Sequence, residues 1–400
     1  MEVPRFEPFA GLRYAAGTDH HVVTAPPYDV IDADERAGLA ARSPHNAVRF
    51  DLPDEADGPG RYDAAGALVG ALQRDGVLVM DDSPSFYVYR MMYEDEQGRQ
   101  RHTTGVLGAL QLSRPGEEGI LPHEHTTPKA KSDRLDLIRG TRHNLSPIWG
   151  LSLAKGLTDL CATDRDPDVE ATDEDGVRHQ LWRVTEPGRV EAIAALVGSE
   201  PVVIADGHHR YETSLAYRDE RRAADPEDHG ADLTLAYVVE LTEDELAVRP
   251  IHRLLHGSPR GDDLLEALTA ALFDAEPTEA DLDLPDRMAV AGALGLVVPG
   301  GGAWLLRPRA DAFPEDLPDL DSSRLDVAVS TLPGIELEYQ HGTDNVLRRV
   351  GSGEAAAGVL LRPATVPQIA ATAHGGVRMP PKTTFFWPKP RTGFVFRSLD

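Results

Sequence analysis

Four hundred residues with 41% hydrophobic content are enough for one large core or two ordinary ones, and the length suggests two or three domains of a soluble, globular class. A formal net charge of −26 and a pI near 4.9 make nucleic acid an unlikely main partner, because non-specific affinity for it comes from Lys and Arg neutralising phosphates. Cys161 is the single cysteine, which excludes an intramolecular disulfide and a Cys-based zinc site within one chain and fits a reducing cytoplasm.

Met1 to Arg5 lacks a basic region followed by an apolar one, and nowhere do about eighteen apolar residues run together, so neither a signal peptide nor a membrane span is expected. Pro26 and Pro27 fix an extended segment that holds Tyr28 and Asp29. Asp32 to Ala41 then reads as a short helix and Asn46 to Phe50 as a strand with Arg49 at its end. Asp29 and Arg49 fit either a site or ordinary turn chemistry. Tyr62 to Arg74 suits a helix. Ser85 to Tyr93 and His102 to Leu112 alternate like neighbouring strands across a hairpin loop at Glu94 to Gly98.

Leu121 to Arg134 is the first stretch with chemistry in it. Prolines on both sides argue for an ordered loop, and Thr127 stands where a zincin motif would need its second histidine, which excludes metalloprotease chemistry on spacing. His123 and His125 keep the option of a metal from an extended segment. Glu124, beside His and Lys, is the stronger candidate: such a carboxylate can take a proton from a substrate hydroxyl. Ser132 opens a helix, Asn144 to Leu153 returns to apolar structure, and Thr163 to Gln180 reads as an acidic hairpin or surface excursion. Leu181 to Val184 and Val190 to Leu196 are a strand and a helix.

They lead to the centre of the chain. The apolar run Val202 to Ala205 stops at Asp206-Gly207, and Tyr211, Ser214 and Leu215 recur at helical spacing. This predicts a strand, a tight turn and a helix start, where unpaired backbone N–H groups and the dipole favour an anion. Gly207 lets a phosphate approach, and His208, His209 and Arg210 surround it. After an acidic loop at Ala223 to Ala231, Leu233 to Glu240 is a strong strand. Arg249, His252 and Arg253 suit either an added positive flank or a surface cluster paired with acids.

Gly257 to about Ser330 carries acidic helices and Gly/Pro turns. Pro299 to Gly302 reads as a hairpin loop, since no Lys-Ser/Thr follows as a P-loop requires. Val359 to Arg362 is a strand. Near the end, Lys382 precedes Thr383 and Thr384 in a proline-rich loop that can hold phosphate oxygens or pack through Phe385, Phe386 and Trp387. The chain uses five lysines against 35 arginines, and four of them, Lys129, Lys131, Lys382 and Lys389, fall in two small clusters. These mark places where a compact ammonium suits a phosphate.

Pro26 to Ile31, His123 to Thr126, Lys131 to Leu135, Asp206 to Tyr211, Pro250 to Arg253 and Met379 to Lys389 together resemble a bacterial family catalogued as a domain of unknown function, number 1015, over nearly the whole chain. More remotely, three stretches in the same order resemble the free serine kinases with the ParB/sulfiredoxin-like core. That resemblance implies a mixed α/β (α+β) fold with N-terminal and C-terminal elaborations. It also implies a kinase that transfers a phosphoryl group from ATP or ADP, with Mg2+, to the hydroxyl of L-serine or a similar small alcohol. The catalytic glutamate falls on Glu124. The nucleotide phosphates fall on Asp206, Gly207, His208, His209 and Arg210 and on Lys382, Thr383 and Thr384. Asp206 and His208 join Glu124 as catalytic candidates, and Asp206 is the candidate metal ligand.

The chain divides in this reading into an N-terminal and core region, 1–256, an acidic subdomain, 257–330, and a C-terminal segment, 331–400, that returns the Lys382 loop to the site. The rival classes are a ParB-like nucleotide-binding regulator, disfavoured by the acidic charge and the absence of a basic helix-turn-helix, and a nucleotide hydrolase.

Overall fold

In a computed structural model, residues 3–95, 98–114, 119–122, 131–332, 334–375 and 379–400 are described. The chain is mixed α/β, and its contacts gather into two compact units. One is formed by the N-terminal part up to Ala247 together with Pro388–Asp400, the other by Val248–Trp387.

The first unit is built on a mixed sheet with strand order Ile120–Pro122, Val202–Asp206, Ile148–Ser152, Leu233–Glu240, Gln100–Gln111, Phe86–Glu94, Arg178–Val184, Val169–Thr172, with Phe6–Glu7 beside Gln100–Gln111. The central strands are near-continuous apolar runs, as buried strands require. Val88, Val106, Val202, Ile204, Ala236 and Val238 are all buried and pack with Ile193 and Val197 from the helix Pro187–Val197. A second core gathers Leu12, Phe50, Val69, Leu72, Leu137 and Phe396 around the helices Arg61–Arg74 and Lys131–Thr141. Those two helices touch at glycines: a Cβ on Gly66 would stand 2.0 Å from the Gly140 carbonyl oxygen, so only glycine allows this approach. The approach fixes the helix that carries Arg134.

The second unit is a six-stranded antiparallel sheet, in the order Phe273–Thr278, Ala303–Pro308, Leu294–Val297, Ala357–Leu360, His252–Gly257, Ile335–Gln340. Leu255, Leu296, Leu306 and Val359 face Leu264, Leu268 and Leu325 from its helices. Thr384–Trp387 pairs separately with Ala247–Pro250. The boundary expected at 256/257 falls inside a strand, and the strands from 335 to 360 complete the sheet of the acidic 257–330 stretch. Edge-to-edge pairing, invisible to composition, joins the two parts of the chain that the sequence reading separated.

Most expected elements stand where the patterns put them, including the Pro299 to Gly302 hairpin between Leu294–Val297 and Ala303–Pro308. One does not. The strand expected over Asn46 to Phe50 is a buried helical turn, Val48–Asp51. The Asn46 side chain accepts from Val48 N at 2.9 Å and donates to the Val22 and Thr24 carbonyls, so a local bond overrides the β preference of a short apolar run. Cys161 is a free, buried thiol. Among the described residues no helix is long and apolar enough to cross a membrane.

Candidate functional site

The strand Val202–Asp206 runs beside Ile148–Ser152 until its register slips between Ile204 and Asp206, which pairs with Trp149. Such a bulge re-aims the residue that follows it. Gly207 then turns the chain at φ 85°, a left-handed conformation that costs glycine nothing, and caps a 17-residue helix, His208–Ala224, without a side-chain capping bond. Asp206, Gly207, His208, His209 and Arg210 therefore share one strand-to-helix corner.

The corner recruits partners from far along the chain. The Asp206 carboxylate receives Arg210 Nη2 on Oδ2 at 2.7 Å and the Lys389 ammonium on Oδ1. Burial raises its pKa, yet Lys389 and Arg210 more than offset this and hold the group well below the usual carboxylate range. Arg210 is buried and also donates to the Pro147 carbonyl. Burial opposes its charge; Asp206 first, then Asp29 and Tyr28, restore it above the ordinary value.

Tyr28, from the Pro26 to Ile31 stretch, lies beneath two guanidinium groups, with its ring centroid 4.0 Å from Arg134 and 6.0 Å from Arg210. Arg134 makes two bonds of 2.6 Å to Asp51, one to its carboxylate and one to its carbonyl, and Thr392 Oγ1 reaches the other carboxylate oxygen at 3.3 Å. Four stretches singled out in the sequence thus meet in one unit: 26–31, 131–135, 206–211 and Lys389. Sequence reasoning gave Lys389 and Arg134 no role at this corner, and Asp51 escaped it entirely. Lysine scarcity was the one signal that pointed to Lys389.

Lys382, Thr383 and Thr384 belong to the second unit. Lys382 is one of two non-glycine residues with positive φ among those described, at 58°. Its loop is held by Arg253, which is fully buried and donates to the carbonyls of Ile251, Pro381 at 3.2 Å and Lys382 at 3.0 Å, with its guanidinium 4.5 Å from the Tyr339 ring. Thr383 Oγ1 donates to Pro380 O at 2.8 Å and meets Ser322 Oγ at 2.9 Å. Arg253 is neither a surface charge nor a flank for an anion; it clamps the loop. His252 is buried too, which lowers its pKa to about 4 and leaves the ring neutral, accepting from Leu361 N. Arg249 lies 3.8 Å over Trp387. Arg49 spends its guanidinium on the Ser43 and Ala40 carbonyls, which is turn chemistry. Glu124, His123, His125 and Lys129 lie outside the described residues.

The donor set at Asp206 does not fit a divalent cation: each carboxylate oxygen already meets a fixed positive charge, and a metal ion would stand against both. Among the described residues no three His, Cys, Asp or Glu side chains gather as metal ligands.

Fold and corner define a mixed α/β protein with a cation-rich turn between a central strand and a long helix. Among solved structures the chain is similar to a conserved hypothetical protein from Pyrococcus furiosus, at 14% identity and a TM-score of 0.37, covering 69% of this chain and 90% of that one. It is similar to a free serine kinase in complex with AMP, at 15% identity and a TM-score of 0.36, covering 69% and 88%. It is also similar to SbnI with C-terminal truncation from Staphylococcus aureus, at 12% identity and a TM-score of 0.40, covering 72% and 85%. No curated protein matches. The chain belongs to the family described as protein of unknown function (DUF1015), whose model matches residues 6–328.

Proposed function

We propose that this protein is a cytoplasmic small-molecule kinase that transfers a phosphoryl group from ATP or ADP to the hydroxyl of L-serine or a similar small alcohol. The observation that carries the reading is the corner itself: Gly207 opens a long helix in a left-handed turn, with Arg210 and Lys389 both set on Asp206. Phosphoryl transfer asks the protein mainly for positioned positive charge and a placed acceptor.

In this reading His208, His209, Arg210 and the first helical turn take the nucleotide phosphates. The αL Lys382 and the Thr384 hydroxyl supply a second grip, the Thr383 hydroxyl being spent on the Pro380 carbonyl, and Glu124 takes the acceptor's proton. These roles are the ones that the resemblance of the three stretches to the free serine kinases with the ParB/sulfiredoxin-like core implies. Mg2+ carried by the nucleotide neutralises charge between its phosphates, and no step is assigned to a metal held on Asp206.

The test is O-phosphoserine formation from ATP or ADP, Mg2+ and L-serine. Glu124→Gln is expected to abolish transfer while keeping nucleotide binding. Hydrolysis of CTP with serine left untouched would sink this reading in favour of a nucleotide-binding regulator or hydrolase.

A further inference from the structure

Four histidines are buried among the described residues, and three of them, His20, His143 and His179, belong to the first unit. All three lie against the C-terminal segment. The buried Phe394 ring packs with its centroid 5.7 Å from that of His20 and 5.9 Å from that of His179, and His143 pairs in register with Ser398. The segment 388–400 carries Lys389, Arg391 and Arg397 against Asp400, so a proton added beside it meets a positive strap.

None of the three rings has a place for a second proton. His20 Nδ1 donates to the Thr18 carbonyl at 3.0 Å and His143 Nδ1 to the Thr141 carbonyl at 2.6 Å, because a carbonyl only accepts. Each Nε2 is then a lone pair, buried with no hydrogen-bond partner among the described residues. His179 Nε2 donates to Asp173 at 3.0 Å, and its Nδ1 accepts from Tyr89 Oη at 2.7 Å. The Tyr89 oxygen accepts in turn from Arg391 N at 3.2 Å, so a proton on His179 Nδ1 takes away the acceptor of a hydroxyl that holds the strap.

Burial lowers the pKa of all three rings. Arg13 adds to this at His20, against the Thr18 carbonyl and Asp19; Arg142 adds at His143, against the Thr141 carbonyl and Asp400; Arg391 adds at His179, against Asp173 and Glu174. Burial raises Asp173 and Glu174, but His179 and Arg391 on the first and Arg42 and Arg391 on the second hold both below the usual carboxylate range, so they stay charged while the histidines titrate. An opened strap binds protons that the closed one refuses. Closure is therefore complete above about pH 6.5 and weakens as pH falls through the lowered values, a sign opposite to that of the raised Glu245 carboxyl.

We infer that His20, His143 and His179 form an acid-sensitive latch on the C-terminal segment: as they gain protons, the strap beyond Pro390 opens and draws Lys389 from Asp206. Pro388 and Pro390 stiffen the link on either side of that lysine, so motion beyond it is passed on.

The experiment is hydrogen exchange of the full chain at about pH 7 and pH 5, corrected for the intrinsic rates. The reporters are Ala25 and Thr392, which exchange backbone bonds of 3.0 and 2.9 Å, and Leu399, whose amide donates to Arg142 O at 2.9 Å. Each ring favours opening by at most about 25-fold over this range, and about tenfold or more is expected in all for the wild type. Peptides over Val202–Asp206 and Leu294–Val297 are expected to change less than about twofold, which separates release of the strap from unfolding. The triple variant His20→Gln, His143→Gln, His179→Gln, whose amides keep a donor and an acceptor but take no proton, is expected to lose the pH response. Should it fail to fold, the imidazole resonances of the wild type give the same answer, with midpoints below about 6.5 expected for all three rings. A strap that responds no more than Val202–Asp206, a triple variant that keeps the wild-type response, or rings that titrate at or above the ordinary value in the folded chain overturns the inference.

Discussion

Replacing Gly207 by alanine adds one methyl group at the corner and nothing else. At φ 85° an L-residue costs about 1–2 kcal/mol. The new Cβ would also stand 3.0 Å from Arg210 Nε and Nη2 and 3.1 Å from Cζ. That guanidinium is no loose end, since it is bonded to Asp206 at 2.7 Å and to the Pro147 carbonyl. Moving it by a few tenths of an ångström strains two charge-assisted bonds, adding about 1 kcal/mol. The total of about 2–3 kcal/mol corresponds to roughly 30- to 150-fold easier local opening. Hydrogen exchange resolved to peptides covering the start of the helix reads it directly, through the Tyr211 amide that donates to Gly207 O at 2.9 Å. Gly17→Ala is the control: its φ is also 85°, but a Cβ there meets nothing within 4 Å, so it reports backbone strain alone. If Gly207→Ala accelerates exchange no more than Gly17→Ala does at its own site, the Arg210 contact contributes nothing and the packing argument for the corner fails.

Two further outcomes follow from buried groups outside the corner. Burial pushes the Glu245 carboxyl from its ordinary 4.5 up to about 7, against the pull of the Thr104 N–H, which it accepts at 2.6 Å, and of Arg90. Because the folded pKa is the higher one, the folded state keeps a proton that the unfolded chain releases. Stability is then greatest below about pH 4.5, falls as pH rises toward 7 and is flat beyond. Glu245→Gln is expected to flatten that profile by about 3 kcal/mol, seen as a urea midpoint of the first unit that no longer depends on pH between 5 and 7; an unaltered slope would assign the dependence elsewhere. Arg253→Lys keeps the charge but loses the fork that spans three carbonyls, so amides over 379–387 should exchange about tenfold faster and trypsin should cut at Lys382 more readily. Unchanged protection there would mean the loop holds itself.

What the sequence determined alone is local. Val202 to Ala205 is an unbroken β-prone run, Asp206-Gly207 interrupts it, and helical spacing follows, so the strand, turn and helix were legible before any coordinate, together with the residue types that suit an anion. The failures came where a short segment answers to its neighbours. Val48–Asp51 is helical because Asn46 bonds to it, and Arg253 is a buried clamp because the Pro381 and Lys382 carbonyls sit 128 and 129 positions away. The pairing of Asp206 with Lys389 spans 183 positions, and that of Arg134 with Asp51 spans 83. Periodicity records which face of an element is buried but carries no address for what will lie against it. Only packing in three dimensions could bring the second cation to the corner and set Arg210 and Lys389 together on one carboxylate.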